Sequence, residues 1–390
     1  MARQRLPLTI WGLGLGSLLM DTSSELVHSL SPVLLVNVLG ASVVAVGMIE
    51  GVAEGIAAFT KVFAGAASDY FRRRKTLIVL GYALAALAKP LFPLATSASW
   101  VFAARFIDRM SKGIRDAPRD ALVADITAQT ERGAAYGLRQ ALDSLGSVVG
   151  PILAVLLMLA LSGKIRTAMW IAVIPGILAV IVVALLVREP HQKQAAVREP
   201  PDWGKARELP PRFWLIVTVG AIFTAARFSD SFLILRARDI GLSASYAPMI
   251  IVVLSCICAA GAYPAGVASD RISPRNLLLI GLGFLIAADV VLGVGHSIVP
   301  IFAGGALWGV HLALTQGVFA KIISDFVPVD LRGTGFGIFD LARGVAFVIA
   351  NVVAGWWWRM SGAPAAFFSA AAFATISGIG LAVATRPRRN

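Results

Sequence analysis

The sequence has 390 residues, of which 57% are hydrophobic and only 15% are charged, and its mean hydropathy is +0.78. These values exclude an ordinary soluble globular protein, in which about a quarter of the residues are charged, and they predict a protein of the lipid bilayer. The net charge of +13 raises the possibility of nucleic-acid binding. However, the basic residues lie mostly between apolar segments and are not interleaved with aromatic residues, so no nucleic-acid partner is expected.

The apolar segments predict twelve membrane-spanning helices, because a span needs about twenty mostly apolar residues. The predicted spans lie near residues 8–36, 42–66, 76–96, 99–125, 136–161, 167–187, 213–236, 245–268, 276–295, 298–323, 334–358 and 364–385. An even number of spans places both termini on one side, and the connections on that side hold most of the Arg and Lys residues. The positive-inside rule therefore predicts cytoplasmic termini and insertion in the cytoplasmic (inner) membrane.

A polar, proline-rich tract interrupts the pattern at residues 188–212 and is typical of a linker. It separates a predicted N-terminal six-helix bundle, residues 1–187, from a predicted C-terminal six-helix bundle, residues 213–390. The predicted fold class is therefore an all-α membrane protein with two six-helix bundles.

Acidic residues follow one face of each of the first two predicted spans. Asp21, Glu25 and His28 have the spacing i, i+4, i+7, which places them on one side of a helix. Glu50 and Glu54 repeat this pattern in the second span. Because a carboxylate near the middle of a bilayer costs a few kcal/mol, these groups are expected to face partners or water. We expect them to line a shared polar cavity.

Two pairs of motifs recur about 200 residues apart. The connection from Gly65 to Lys75 has a weaker counterpart that begins at Gly266, an offset of 201 (266 − 65). Residues 132–137 (RGAAYG) resemble residues 332–337 (RGTGFG), an offset of 200 (332 − 132). Asp125 and Asp325 are also 200 residues apart (325 − 125). The agreement of the three offsets indicates an internal duplication that relates the two predicted bundles.

Further charged residues lie within later spans at similar estimated depths. They suggest a central cavity with exchangeable protons, although buried ion pairs that hold helices in register would give the same pattern. The predicted proton-coupling residues are Asp21, Glu25 and Asp108. The predicted substrate-binding residues are Asp21, Glu25, His28, Glu50, Glu54, Lys89, Arg109, Lys112, Arg227, Asp230 and His311.

A metal site is the alternative interpretation of the acidic stripes, because carboxylate oxygens and an imidazole are common metal ligands. The sequence does not indicate that these side chains converge on one point. Cys256 and Cys258 share one apolar segment, where neither a disulfide framework nor a zinc knuckle can form. No resident metal and no cofactor are predicted.

Three motifs together resemble those of the major facilitator superfamily. Gly65-x-x-x-Asp69-x-x-x-Arg73 resembles the signature loop between the second and third spans of that family, with an arginine in place of its second glycine. Residues 109–113 (RMSKG) are similar to the fourth-span Arg-x-x-x-Gly motif. Residues 146–151 (GSVVGP) resemble the fifth-span Gly-x-x-x-Gly-Pro motif of proton-coupled exporters.

The resemblance implies a secondary transporter that works by alternating access, with a charge cluster that latches the cytoplasmic side. The gating residues that it implies are Gly65, Asp69, Arg73, Asp125, Asp270 and Asp325. We expect a monomeric transporter, not an enzyme, that exchanges protons for a small organic or drug-like compound. Transport of a metal ion, a metal chelate or siderophore, and uptake of a small metabolite remain alternatives on the same fold. A non-transporting receptor or scaffold has no support from an appended soluble domain.

Overall fold

The computed structural model describes residues 7–71, 73–127, 132–189, 209–315 and 332–384. The regular structure in these ranges is helical, and they contain no strand. This confirms the predicted all-α class for the described part of the chain.

The helices of the first half are separated by short connections. They are α1 Leu8–Val33, which continues as a π-helical turn Leu34–Val38, α2 Val43–Phe71, α3 Arg74–Ala88, α4 Leu91–Leu94, α5 Ala98–Ile126, α6 Arg132–Ala160, α7 Ile165–Ile171 and α8 Val173–Leu186. The described helices of the second half are α9 Pro211–Ala225, α10 Ser231–Asp239, α11 Met249–Arg271, α12 Pro274–Val294, α13 Ile298–Thr315, α14 Arg332–Ser361 and α15 Ala363–Ala384.

Each predicted span corresponds to one of these helices or to a consecutive pair. The pairs are α3 with α4, α7 with α8, and α9 with α10. Within the described ranges, eight helical segments are long and apolar enough to cross a membrane by length and composition alone. The other four predicted spans fall short for physical reasons: α1 and α5 carry charged side chains, α9 and α10 divide the seventh span, and the described apolar part of α11, Met249–Gly261, is shorter.

The chain groups into two compact units. The first unit contains Met1–Leu34 and Ile56–Pro200, and the second unit contains Leu35–Gly55 and Pro201–Asn390. Residues 35–55 group with the second unit because this part of α2 packs against α14. There Gly51 lies against Val348. A Cβ atom at position 51 would lie 3.0 Å from the Cα atom of Val348. The domain limits expected from the linker alone stay a prediction.

In the first unit, α1 packs against α6 and α8, and α3 packs against α5 and α8. Apolar side chains from these helices form a fully buried core, which includes Ile10, Leu13, Met20, Ile78, Tyr82, Leu122 and Val183. The core therefore holds in place the same two helices, α1 and α5, that carry most of the polar side chains of this unit.

Two glycines let α6 approach α1 closely. A Cβ atom at Gly146 would lie 2.7 Å from the carbonyl oxygen of Leu18, and one at Gly150 would lie 2.6 Å from the Cβ of Glu25. Small residues permit such close helix packing in membrane proteins. Because Asp21 and Glu25 lie on the packed face of α1, the glycine motif of α6 determines the surroundings of both acids.

The second unit has an interruption in its seventh span, where residues 226–230 separate α9 from α10. The side-chain Oδ1 of Asn351 on α14 accepts a hydrogen bond of 2.9 Å from the backbone N–H of Ser229. Within this interruption, the ring of Phe228 packs against Trp308 and Phe367, with centroid distances of 5.5 and 5.3 Å. The non-helical segment is thus held by one amide side chain and by aromatic packing.

Replacement of Gly150 by alanine is expected to lower the melting temperature of the purified protein. The added Cβ would lie 2.6 Å from the Cβ of Glu25 and 2.8 Å from the carbonyl oxygen of Thr22. Such overpacking costs about 1–3 kcal/mol. Gly137→Ala in the same helix is the matched control, since no described atom lies within 4 Å of the position of its Cβ. Equal melting temperatures of the two variants would contradict the close contact.

Candidate functional site

A buried ion pair links the third and fourth predicted spans of the first unit. Lys89 Nζ lies 2.6 Å from Asp108 Oδ1 and donates a hydrogen bond of 2.7 Å to the Oγ of Ser24. Both charged side chains are almost fully inaccessible to solvent. Close geometry and charge-assisted hydrogen bonding are what a desolvated ion pair requires to be tolerated. We call Lys89, Asp108, Ser24, Arg105, Arg109 and His28 the Lys89 cluster.

In the Lys89 cluster, the side chains of two arginines lie within hydrogen-bond distance of the imidazole ring of His28. Its Nδ1 lies 2.5 Å from a terminal nitrogen of Arg105 and 3.3 Å from a terminal nitrogen of Arg109. A guanidinium group only donates hydrogen bonds, so Nδ1 must be the acceptor. The ring is therefore neutral and carries its proton on Nε2. Since Nδ1 faces two cations, it is unsuitable as a metal ligand in this arrangement.

A second group of charges, which we call the Arg119 network, surrounds the buried guanidinium group of Arg119. The guanidinium lies 3.3 Å from an oxygen of Asp116, 3.6 Å from Asp120 and 3.9 Å from Asp143. It also donates a hydrogen bond of 2.8 Å to the Oγ of Ser17. These contacts join α1, α5 and α6 through one cation.

Asp21 lies at the edge of the Arg119 network. Its Oδ1 is 3.8 Å from a terminal nitrogen of Arg115, and its side chain is 19% exposed, compared with 4% for Asp108. The guanidinium of Arg115 also lies over the ring of Tyr82, 4.9 Å from its centroid. The positive charge of Lys112 also attracts the carboxylate of Asp21. Asp21 is therefore a partly accessible acid that is held by longer-range attraction, in contrast to the tightly bound Asp108.

The junction between α2 and α3 is held by two acids from elsewhere in the first unit. Arg74 Nε lies 3.1 Å from Asp125 Oδ2. The two carboxylate oxygens of Glu189 accept hydrogen bonds of 2.8 and 2.9 Å from the backbone N–H groups of Arg74 and Lys75. A carboxylate at the start of a helix satisfies its unpaired N–H groups and interacts favourably with the helix dipole. Glu189 thus caps α3.

The structure describes the side-chain surroundings of only some of the gating residues that the family resemblance implies. Gly65 lies beside Ala117 of α5, where a Cβ would meet the neighbouring methyl group at 3.5 Å. Arg73 is exposed, whereas the adjacent Arg74 makes the ion pair with Asp125. The side chains of Asp69 and Asp270, and residue Asp325 as a whole, lie outside the described residues. The gating roles stay predictions.

In the second unit, predicted site residues lie at the interruption between α9 and α10. The charge of Arg227 interacts with those of Asp230, Glu54 and Arg343. Arg343 Nε also donates a hydrogen bond of 3.2 Å to the Oγ1 of Thr224 at the end of α9. The structure thus brings together two predicted residues of the seventh span with one of the second span.

His311, another predicted site residue, lies in the interior of the second unit. Its Nδ1 is 2.8 Å from the carbonyl oxygen of Gly281, and its ring stacks on Phe223 with a centroid distance of 5.7 Å. Glu50, in the part of α2 that belongs to the second unit, is also buried. Both residues are therefore interior groups of the second unit, whereas Asp21, Glu25 and His28 belong to the first.

Several polar residues of the site were not predicted. The arginines and aspartates of α5 alternate at intervals of three and four residues, which is a sequence signal for one charged helix face. Asn351 and Glu189 had no such signal, because their partners are backbone groups distant in sequence. The unpredicted residues are Ser17, Ser24, Arg105, Arg115, Asp116, Arg119, Asp120, Asp143, Glu189, Arg343 and Asn351.

Comparison with known proteins identifies the family. The sequence model of the Major Facilitator Superfamily matches residues 13–235 and 231–390. The chain is 31% identical over 383 residues to an uncharacterized MFS-type transporter of Methanocaldococcus jannaschii, covering 95% of this chain and 93% of that protein. It is 22% identical over 328 residues to the multidrug resistance protein MdtH of Salmonella arizonae, covering 83% and 80% of the two chains.

A solved structure shares the fold. The crystal structure of a bacterial homolog to the human lysosomal transporter Spinster, in an inward-facing and occupied conformation, matches with a TM-score of 0.80 and 15% identity. The match covers 97% of this chain and 96% of that chain. The predicted all-α membrane fold and the prediction of a transporter instead of an enzyme are therefore confirmed, and the chain belongs to the Major Facilitator Superfamily of integral membrane transporters.

Proposed function

We propose that the protein exports a small organic compound in exchange for protons, with Asp21 and Glu25 as the proton-binding residues. The observation that carries the proposal is the state of Asp21. It is a carboxylate inside a membrane fold that remains partly accessible and is held by Arg115 at a distance of 3.8 Å. A group that must gain and lose a proton needs both access and a partner from which it can separate.

The packing of α1 on α6 supports Glu25 as the second acid of this site. Glu25 lies one helical turn after Asp21, and both face the glycines of α6. Protonation of Asp21 would remove a negative charge and weaken its attraction to Arg115 and Lys112. Protonation shifts the balance between two conformations only if it changes their free energies by different amounts. The long ion pair between Asp21 and Arg115 allows this, because it can be formed in one conformation and broken in the other.

Asp108 has a different proposed role from the one predicted. Its carboxylate is bound by Lys89 at 2.6 Å, and Arg105 lies 3.9 Å from its other oxygen. A proton on Asp108 would leave two buried cations without this counter-charge, which is costly. We therefore assign Asp108 to the positioning of α3 against α5, and we assign proton exchange to the acids of α1.

The proposed substrate is a small organic compound, as the similarity to a multidrug resistance protein suggests. Among the described residues, no group of three or more His, Cys, Asp or Glu side chains could hold a metal ion. The proposed location is the cytoplasmic membrane with both termini cytoplasmic, because the basic connections favour that side. The proposed transport unit is one chain.

Asp21→Asn and Glu25→Gln are expected to reduce pH-gradient-driven transport at least tenfold, because neither amide can exchange a proton at this site. The measurement uses liposomes loaded with ethidium, or with the compound that gives the largest thermal stabilisation in a screen of drugs, organic acids and siderophores. The matched control is Asp239→Asn, which removes a half-exposed carboxylate from the end of α10. Wild-type rates in both variants would overturn the assignment.

The direction of transport is tested separately in cells that overexpress the protein. An increase in the intracellular amount of the transported compound, instead of a decrease, would overturn export.

The structural role of Asp108 predicts non-additive effects on stability. Lys89→Met and Asp108→Asn are each expected to destabilise the protein, by about 3–5 kcal/mol, because each removes the closest ion-pair partner of a buried charge. The double variant is expected to recover part of the loss, since no uncompensated charge of the pair remains. Thermal unfolding in detergent measures the three variants. Additive losses would contradict the ion pair as the source of stability.

The gate can be tested with two neighbouring arginines. Arg74→Gln is expected to slow transport more than Arg73→Gln, because Arg74 makes the ion pair with Asp125 and Arg73 is exposed. The two variants remove the same charge one residue apart, so each controls for the other. A larger loss in Arg73→Gln would favour the role implied by the family motif over the contact seen in the structure.

A further inference from the structure

The interior of the second unit contains a carboxyl group with no assigned role. Asp289 on α12 is 0% exposed. Neither of its side-chain oxygens has a hydrogen-bond partner among the described residues. An ionised carboxylate in such surroundings would lose its hydration without compensation, whereas the neutral acid loses far less.

The face of α12 that carries Asp289 can be read from its neighbours. Gly281 lies against Thr315 of α13, and Gly293 lies against the ring of Phe368 of α15, where a Cβ would meet a ring carbon at 3.0 Å. At 100° per residue, Asp289 points roughly 80° from Gly281 and roughly 40° from Gly293. The carboxyl group is therefore directed between α13 and α15, into the interior of the unit.

Few charges face this position from the surrounding helices. His311 is the only ionisable residue in α13, and the described part of α15 has none. On α12 itself, Arg275 donates a hydrogen bond of 2.9 Å to the carbonyl oxygen of Ala382. Arg236 of α10 lies near the end of α12, where it donates a hydrogen bond of 3.0 Å to the carbonyl oxygen of Leu292. Both arginines are thus engaged with backbone acceptors.

His311 is a second buried polar residue in the interior of this unit. Its Nδ1 must donate to the carbonyl oxygen of Gly281, because a carbonyl only accepts hydrogen bonds. In the neutral ring Nε2 is then an acceptor, and this buried atom has no hydrogen-bond partner in the described part of the chain. The helix rise from Gly281 to Asp289 is about 12 Å. A bridge of one or two waters spans only about 5–8 Å between its end groups, so Asp289 and His311 are separate polar groups of this interior.

We propose that Asp289 is a proton-binding site of the second unit. Its side chain is a neutral carboxylic acid in this conformation, because neither oxygen has a hydrogen-bond partner among the described residues to compensate a buried negative charge. The acid ionises only when a change of conformation admits water or a cation to it. The site is separate from Asp21 and Glu25, and the proposal does not depend on proton-coupled export.

Infrared difference spectroscopy of the full-length protein in liposomes tests this proposal at neutral pH. The wild-type protein minus Asp289→Asn is expected to contain the C=O stretching band of one protonated carboxylic acid. The matched control is Asp340→Asn, which removes a partly exposed aspartate 4.0 Å from Arg343 and is expected to remove carboxylate bands only.

Two results would overturn the proposal. Loss of carboxylate bands in Asp289→Asn would mean that Asp289 is ionised. Sodium-dependent thermal stabilisation of the wild-type protein that is absent from the variant would identify a metal-cation site instead. If Asp289→Asn does not accumulate, Asp289→Ala gives the same band-loss measurement.

Discussion

Charged side chains inside a membrane fold must be neutralised by the protein itself, and this requirement organises the first unit. Helix α5 carries both cations and acids, and its contacts match one to the other. Asp108 is bound by Lys89, and Arg119 lies among three aspartates. Because the desolvation cost of each charge is offset only in the correct geometry, the same contacts fix the positions of α1, α3 and α6 around α5.

The close packing of α1 on α6 connects this charge network to the proposed transport site. Gly146 and Gly150 allow the acid-bearing face of α1 to lie directly against α6. Asp21 consequently lies near Arg115 without the tight pairing that Asp108 has. In our proposal, the two acids differ in function because they differ in access and in the distance to the nearest cation, although both are aspartates within predicted spans.

The second unit is organised by other contacts. Aromatic rings around Phe228 and the Asn351 side chain hold the interruption of the seventh span. Its interior holds Asp289 and His311, each with a side-chain atom that lacks a hydrogen-bond partner within the described ranges. Sequence motifs recur between the two halves of the chain, but the polar groups in the two units are arranged differently. A duplicated framework can therefore support distinct chemistry in its two parts.

The sequence alone determined the membrane class, the positions of the helices and the family, because long apolar segments and short motifs are local properties of the chain. It also located Asp21, Lys89, Asp108 and His311 as interior polar residues. Only the tertiary structure decided which cation meets which acid. Arg74 instead of Arg73 pairs with Asp125, and Glu189 caps α3 from 114 or more residues away. Such pairings depend on helix rotation and on contacts between distant segments, which helical periodicity does not specify.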